Sequence, residues 1–93
     1  MKAARASAVN KFTDIPNVGP AMMRDFKELG IKAPADLKKK DAYRMYLAMS
    51  KKKGRQDPCV LDTYIAVVDF MNGAPPRPWF YYTKERKKKY PNI

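Results

Sequence analysis

Histidine is absent from this 93-residue sequence, and cysteine occurs once, as Cys59. Neither a Ser-His-Asp nor a Cys-His catalytic arrangement can be assembled from such a chain, and no His/Cys zinc site can either. A lone cysteine excludes a disulfide framework and points to a reducing compartment, so a soluble, cytoplasmic protein is expected. Apolar runs are short; none approaches the ~20 residues of a membrane span, and no membrane association is expected. No apolar stretch follows the basic residues at the start, so no secretory signal is expected. Carboxylates are scarce, with nine Asp and Glu against 20 Lys and Arg. Asp62 and Asp69, two helical turns apart, are too isolated for a nuclease-type metal cluster. The chain therefore reads as a non-enzyme, with no cofactor, metal or small-molecule substrate expected.

What is present is positive charge, +11 in all, and its placement is uneven. Residues 34–56 hold eight basic and two acidic side chains, and residues 77–93 hold six and one. Residues 57–76 contain Asp57, Asp62 and Asp69 and neither Lys nor Arg. The positive field thus belongs to particular segments. Such an excess calls for a polyanionic partner, nucleic acid before an anionic membrane, or else serves as a solubilising surface.

Eight prolines and four glycines cut the chain into pieces of helical length. No segment alternates apolar and polar residues long enough for a strand, so the expected fold is all-α: a compact bundle of about five short helices. Ser7 is placed to cap a helix to about Thr13, with Val9 and Phe12 facing inward. Pro20 opens the next helix and Gly30 stops it, with Met22, Met23, Phe26 and Leu29 as its buried stripe. A short turn carrying Leu37 starts at Pro34. Asp41 caps a helix to about Lys52 with Met45, Tyr46 and Met49 inward, ended by Gly54. Asp57-Pro58 starts the strongest helix, 58 to about 72. On it Leu61, Tyr64, Ile65, Val68 and Met71 form the expected core stripe, and Asp62, Ala66 and Asp69 an outer acidic strip. The domain is expected over residues 7–83, with a basic arm at 1–6 and a basic tail at 84–93 that frays beyond its first turn.

One stretch carries most of the functional information: Ile15-Pro16-Asn17-Val18-Gly19-Pro20, leading into the helix that ends at Leu29-Gly30-Ile31. It resembles the helix-hairpin-helix motif, whose pattern is an apolar residue, Pro-Gly-Val/Ile-Gly and then a helix. Asn17 replaces the first glycine, and asparagine is the side chain most tolerant of positive φ. Met23 replaces the small residue usual in the second helix, a change expected to alter helix packing. Such a hairpin turns free backbone amides and a helix N-terminus outward, which suits a phosphate oxygen, though it also serves as a plain structural turn. Ile15 and Val18 pin it to the core. The resemblance implies phosphate contact at Pro16, Asn17, Val18, Gly19 and Pro20, and Lys11, Arg24 and Lys27 lie within one or two turns of them.

The order of elements through Ala35-Asp36-Leu37, Gln56-Asp57-Pro58-Cys59-Val60-Leu61 and the Trp79-centred aromatic cluster looks like the small bacterial pathogenicity locus family, also labelled mitomycin-resistance-like. The C-terminal domain of TfoX-type competence proteins is similar in plan. The resemblance implies a helical fold and nucleic-acid binding without an assigned activity. The function expected is a non-catalytic, largely sequence-independent DNA-binding module. The alternative is a protein-interaction domain, or an RNA- or ribosome-associated protein, in which the hairpin is structural. Lys51, Lys52, Lys53 and Arg55 sit at a second joint, either as a second phosphate contact or as a solvated helix end; Lys38-Lys39-Lys40 is similar. Cys59 is expected to be a small buried hydrophobe, and Trp79 to Tyr82 to close a thin core rather than to stack on bases.

Overall fold

Carboxylate caps start two of the central helices and prolines start two, and positive-φ glycines follow all three, as the sequence directs. The computed structural model describes residues 2–93. Its α-helices are α1 (Pro20–Glu28), α2 (Ala42–Lys53), α3 (Pro58–Met71) and α4 (Thr83–Lys89). Short 3-10 turns occupy Ala6–Ala8, Phe12–Asp14, Pro34–Lys39 and Trp79–Tyr82, and no strand occurs among the described residues. The all-α expectation holds. Asp41 accepts the Arg44 amide at 3.1 Å to start α2, and Asp57 accepts the Cys59 amide at 3.1 Å to start α3. Gly30 after α1 and Gly54 after α2 take positive φ, +75° and +88°, as helix-stopping glycines do.

α3 is the centre of the molecule. Leu61, Tyr64, Ala66, Val67, Phe70 and Met71 are all buried on it. It packs against α2, α4 and the turns at 34–39 and 79–82. A helix covered on this many sides is apolar around most of its circumference instead of along one stripe. Ile15, Phe26, Ile31, Leu37, Met45 and Tyr46 complete the cluster from the other elements. Two tyrosine hydroxyls cross-tie it: Tyr64 donates to the Asp25 carboxylate on α1 at 2.7 Å, and Tyr46 to the Gln56 carbonyl at 2.6 Å. Burial and the Asp25 carboxylate push the Tyr64 hydroxyl far above its ordinary pKa, so it remains a donor. The radius of gyration, 12.4 Å, matches the ~12 Å of a globular chain of this length.

Several expectations are corrected. The helix over 7–13 is absent; the segment forms two 3-10 turns, and Ser7 lies inside the first instead of capping it. The Asp14 carboxylate accepts the amides of Asn10 and Lys11 at 3.0 and 3.1 Å, which holds Lys11 in an extended conformation and interrupts any helix there. The N-terminal arm, of which Met1 lies outside the described residues, packs down: the Ala3 amide donates to the Asp14 carbonyl at 2.7 Å. Leu61 is buried as expected, but Ile65 and Val68 are half-buried and line a groove of about 320 Å³ with Ala42, Tyr43 and Tyr90.

The outer acidic strip is overturned. Asp62 is 0% exposed: Arg86 Nε donates to it at 2.7 Å and the Thr83 hydroxyl at 2.7 Å. Thr83 closes the expected domain and Arg86 lies in the first turn of the tail. Beyond that turn, where fraying was expected, the chain stays helical as α4 to Lys89, and Tyr90 then stacks on Tyr43, ring centroids 4.2 Å apart. A basic side chain that reaches a buried carboxylate gives the C-terminal segment its reason to dock. Of the four aromatics expected to close the core only Tyr82 is buried; Trp79, Phe80 and Tyr81 are 39%, 63% and 56% exposed. Cys59 is half-buried, and burial together with the neighbouring Asp57 raises its thiol pKa, so it stays protonated at neutral pH.

Candidate nucleic-acid interface

The turn before α1 is built from one buried anchor on each side of a left-handed residue. Ile15 is fully buried and Val18 nearly so, and the Val18 amide donates to the Ile15 carbonyl at 3.2 Å. Between them Pro16 fixes the approach and Asn17 takes φ +74°, the one positive φ outside glycine among the described residues. The positive φ expected of Asn17 is thus observed, as the αL tolerance of asparagine permits. The preceding arm of the motif is a 3-10 turn, Phe12–Asp14, and not an α-helix. Its Phe12 ring packs on Phe26 of α1 with centroids 5.2 Å apart. Met23 is 40% exposed and lines a shallow groove with Phe12 and Phe26, where the arm meets α1.

Gly19 is the N-cap of α1, in extended backbone at φ −125°, with no side-chain cap. The first helical bond runs from the Met23 amide to the Gly19 carbonyl at 3.1 Å. The amides of Gly19, Ala21 and Met22 precede it, and among the described residues none has an acceptor. A Cβ built at Gly19 would meet nothing within 4 Å. Neither backbone strain nor packing therefore requires glycine here, and a side chain at this position would meet no obstacle. The N-termini of α2 and α3 are each closed by an aspartate carboxylate.

Pro20, Arg24 and Lys27 recur at i, i+4 and i+7 and are all exposed, a stripe running down α1 from the hairpin. Lys11 is exposed at the start of the 12–14 turn. Lys2 escaped the sequence reading: its ammonium donates to the carbonyls of Thr13, at 2.8 Å, and Val18, adding a cation at the base of the hairpin.

Lys51, Lys52, Lys53 and Arg55 are exposed at the other end. Lys53 pairs with Glu28, the last residue of α1, at 3.3 Å. Eight residues of helix separate Glu28 from Pro20, or about 12 Å. Lys53 therefore lies about a helix length from the turn at Pro20, at the Lys27 end of the α1 stripe. The joint at 54–57 offers no open amide end, because Asp57 occupies it; hydrogen bonding from the Cys59 amide holds the Asp57 carboxyl below its usual pKa.

The Asn17 side chain was also missed. Its Nδ2 donates to the Arg77 carbonyl at 2.8 Å, and its Oδ1 accepts the Trp79 amide at 3.0 Å. This two-bond clamp ties the proline-rich 75–79 stretch, and with it the exposed aromatic turn, to the hairpin. No sequence signal joins residues sixty positions apart in this way.

Fold and site together define a small, basic, all-helical protein whose α1 N-terminus has no side-chain cap. The chain belongs to the Cdd1 pathogenicity locus family, whose profile matches residues 5–88. It is similar to the mitomycin resistance protein McrB of Streptomyces lavendulae, with 44% identity over 77 residues, 82% of this chain and 73% of that protein. No solved structure matches it. No helix among the described residues is long and apolar enough to cross a membrane.

Proposed function

We propose that the chain is a non-catalytic DNA-binding module of the cytoplasm that grips duplex phosphates with little regard to sequence, its 15–20 turn acting as a helix-hairpin-helix does. The observation that carries this reading is the α1 N-terminus, uncapped and unobstructed at Gly19 while the other two central helices are capped by carboxylates. Three free amides and the positive end of the helix dipole favour an anion there. Arg24 and Lys27 down the same helix, with Lys11 beside it, supply charges for neighbouring phosphates. Phosphate contacts position a protein without reading bases, so weak sequence preference follows. About three to five neutralised phosphates give log K a slope of about −3 to −4.5 against log salt on duplex. The mitomycin resistance named for the similar Streptomyces protein is compatible with a role at DNA.

Gly19 supplies the test. Gly19→Asp places on α1 the carboxylate that Asp41 and Asp57 place on their helices, in backbone that accepts it. Its thermal midpoint is expected to equal or exceed the parent's, while duplex affinity falls at least tenfold at each salt concentration. Gly19→Val, with no added charge, is expected to weaken binding as well. A folded Gly19→Asp that binds duplex like the parent makes the hairpin structural and leaves binding to the basic segments elsewhere.

A further inference from the structure

Trp79, Phe80 and Tyr81 form an exposed aromatic turn beside the hairpin, and we infer that it stacks unpaired bases of single-stranded DNA whose phosphates run past the α1 N-terminus. The inference rests on the DNA-binding reading above and adds single-stranded DNA to the duplex as a bound form. The three rings are 39%, 63% and 56% exposed, although the chain has little apolar surface to spare. They are not loose. The Asn17 clamp fixes the backbone at Arg77 and Trp79, and buried Tyr82, donating to Asp69 at 2.7 Å, anchors the other end.

Trp79 and Phe80 meet edge to face, centroids 5.7 Å apart and planes at 86°, so at most one face of either ring is covered by the other. The Arg77 guanidinium lies 4.5 Å from the centroid of the Tyr81 ring and Tyr82 meets that ring at 5.1 Å, so Trp79 and Phe80 offer the freer faces to a base. The occupant is a base and not an apolar protein helix because of the surroundings. The exposed rings are aromatic, and of the six basic residues in 77–93 Arg86 is buried on Asp62 and Arg77 pairs with Asp69, which leaves Lys84, Lys87, Lys88 and Lys89 exposed on the helix that follows the turn. Stacking platforms set along a cationic path are how single strands are held without sequence readout.

Trp79 is the only tryptophan, so its fluorescence reports this turn alone. The full chain is titrated with a thymidine oligonucleotide, the same length of abasic strand, a blunt duplex and a uridine oligonucleotide, reading tryptophan quenching and label anisotropy. Expected are quenching and tighter binding with the thymidine strand than with the abasic one. Phe80→Ala and Trp79→Ala are each expected to lower single-strand affinity about tenfold with duplex affinity unchanged. Equal binding of thymidine and abasic strands by the parent protein overturns the inference even if a variant fails to fold. So does tighter binding of the uridine strand, which assigns the turn to RNA. If Gly19→Asp weakens duplex binding while the aromatic variants leave single-strand binding intact, stacking fails and the hairpin reading stands. If no nucleic acid binds at physiological salt, both fail.

Discussion

Asp62 and Phe80 occupy each other's expected places. The carboxylate of α3 is sealed inside the molecule, and eighteen residues later a phenyl ring stands in solvent. The difference lies in partners. Asp62 receives a guanidinium and a hydroxyl from α4, so its oxygens are satisfied without water. Phe80 follows Pro75-Pro76-Arg77-Pro78, a stretch that the Asn17 clamp holds against the hairpin, and its ring finds no cover there. Burial in a thin domain is decided by what reaches a side chain, more than by its own polarity.

The buried pair should give the largest effect. Arg86→Ala leaves Asp62 sealed without its cation and should cost about 3–5 kcal/mol in urea unfolding. Replacing both with well-packed Asp62→Leu and Arg86→Met should restore most of that loss, since apolar isosteres avoid the desolvation cost of the pair. A single mutant no less stable than the parent would return Asp62 to the surface. A sharper contrast comes from two apolar truncations of similar size. Leu61→Ala, at a fully buried site, should cost about 2–5 kcal/mol. Phe80→Ala should stay within about 0.5 kcal/mol, and a cost like that of Leu61 would show a ring closing the core.

The smallest effect is in acid. Amide hydrogen bonds from Asn10 and Lys11 hold the Asp14 carboxyl below its ordinary pKa, as the Cys59 amide does for Asp57. A folded-state pKa lowered in this way contributes stability that is full above the unfolded value, about 3.9, and is lost as pH falls through the folded value. The thermal midpoint should therefore drop as pH is lowered from about 5 into that range. Asp14→Asn and Asp57→Asn should each flatten the drop; an unchanged slope would place the acid sensitivity elsewhere. Asp57 is exposed and Asp14 only half-buried, so salt screening keeps the change modest.

Residues close in sequence determined much of this protein. Asp41, Asp57, Pro20, Pro58, Gly30 and Gly54 set the ends of the three central helices, because capping and left-handed stops are chemistry between near neighbours. The left-handed Asn17 was legible for the same reason, and composition fixed the charge. Tertiary structure alone decided the rest. It seated Arg86 on Asp62 and turned an expected fraying tail into a docked helix. It kept Lys53 about a helix length from the turn at Pro20. And it used the side chain of Asn17 to set three aromatic rings beside the open end of α1. Periodicity records which faces a helix has. It does not record which partner arrives from twenty or sixty residues away, and that arrival decides whether a charge is buried or a ring is left in water.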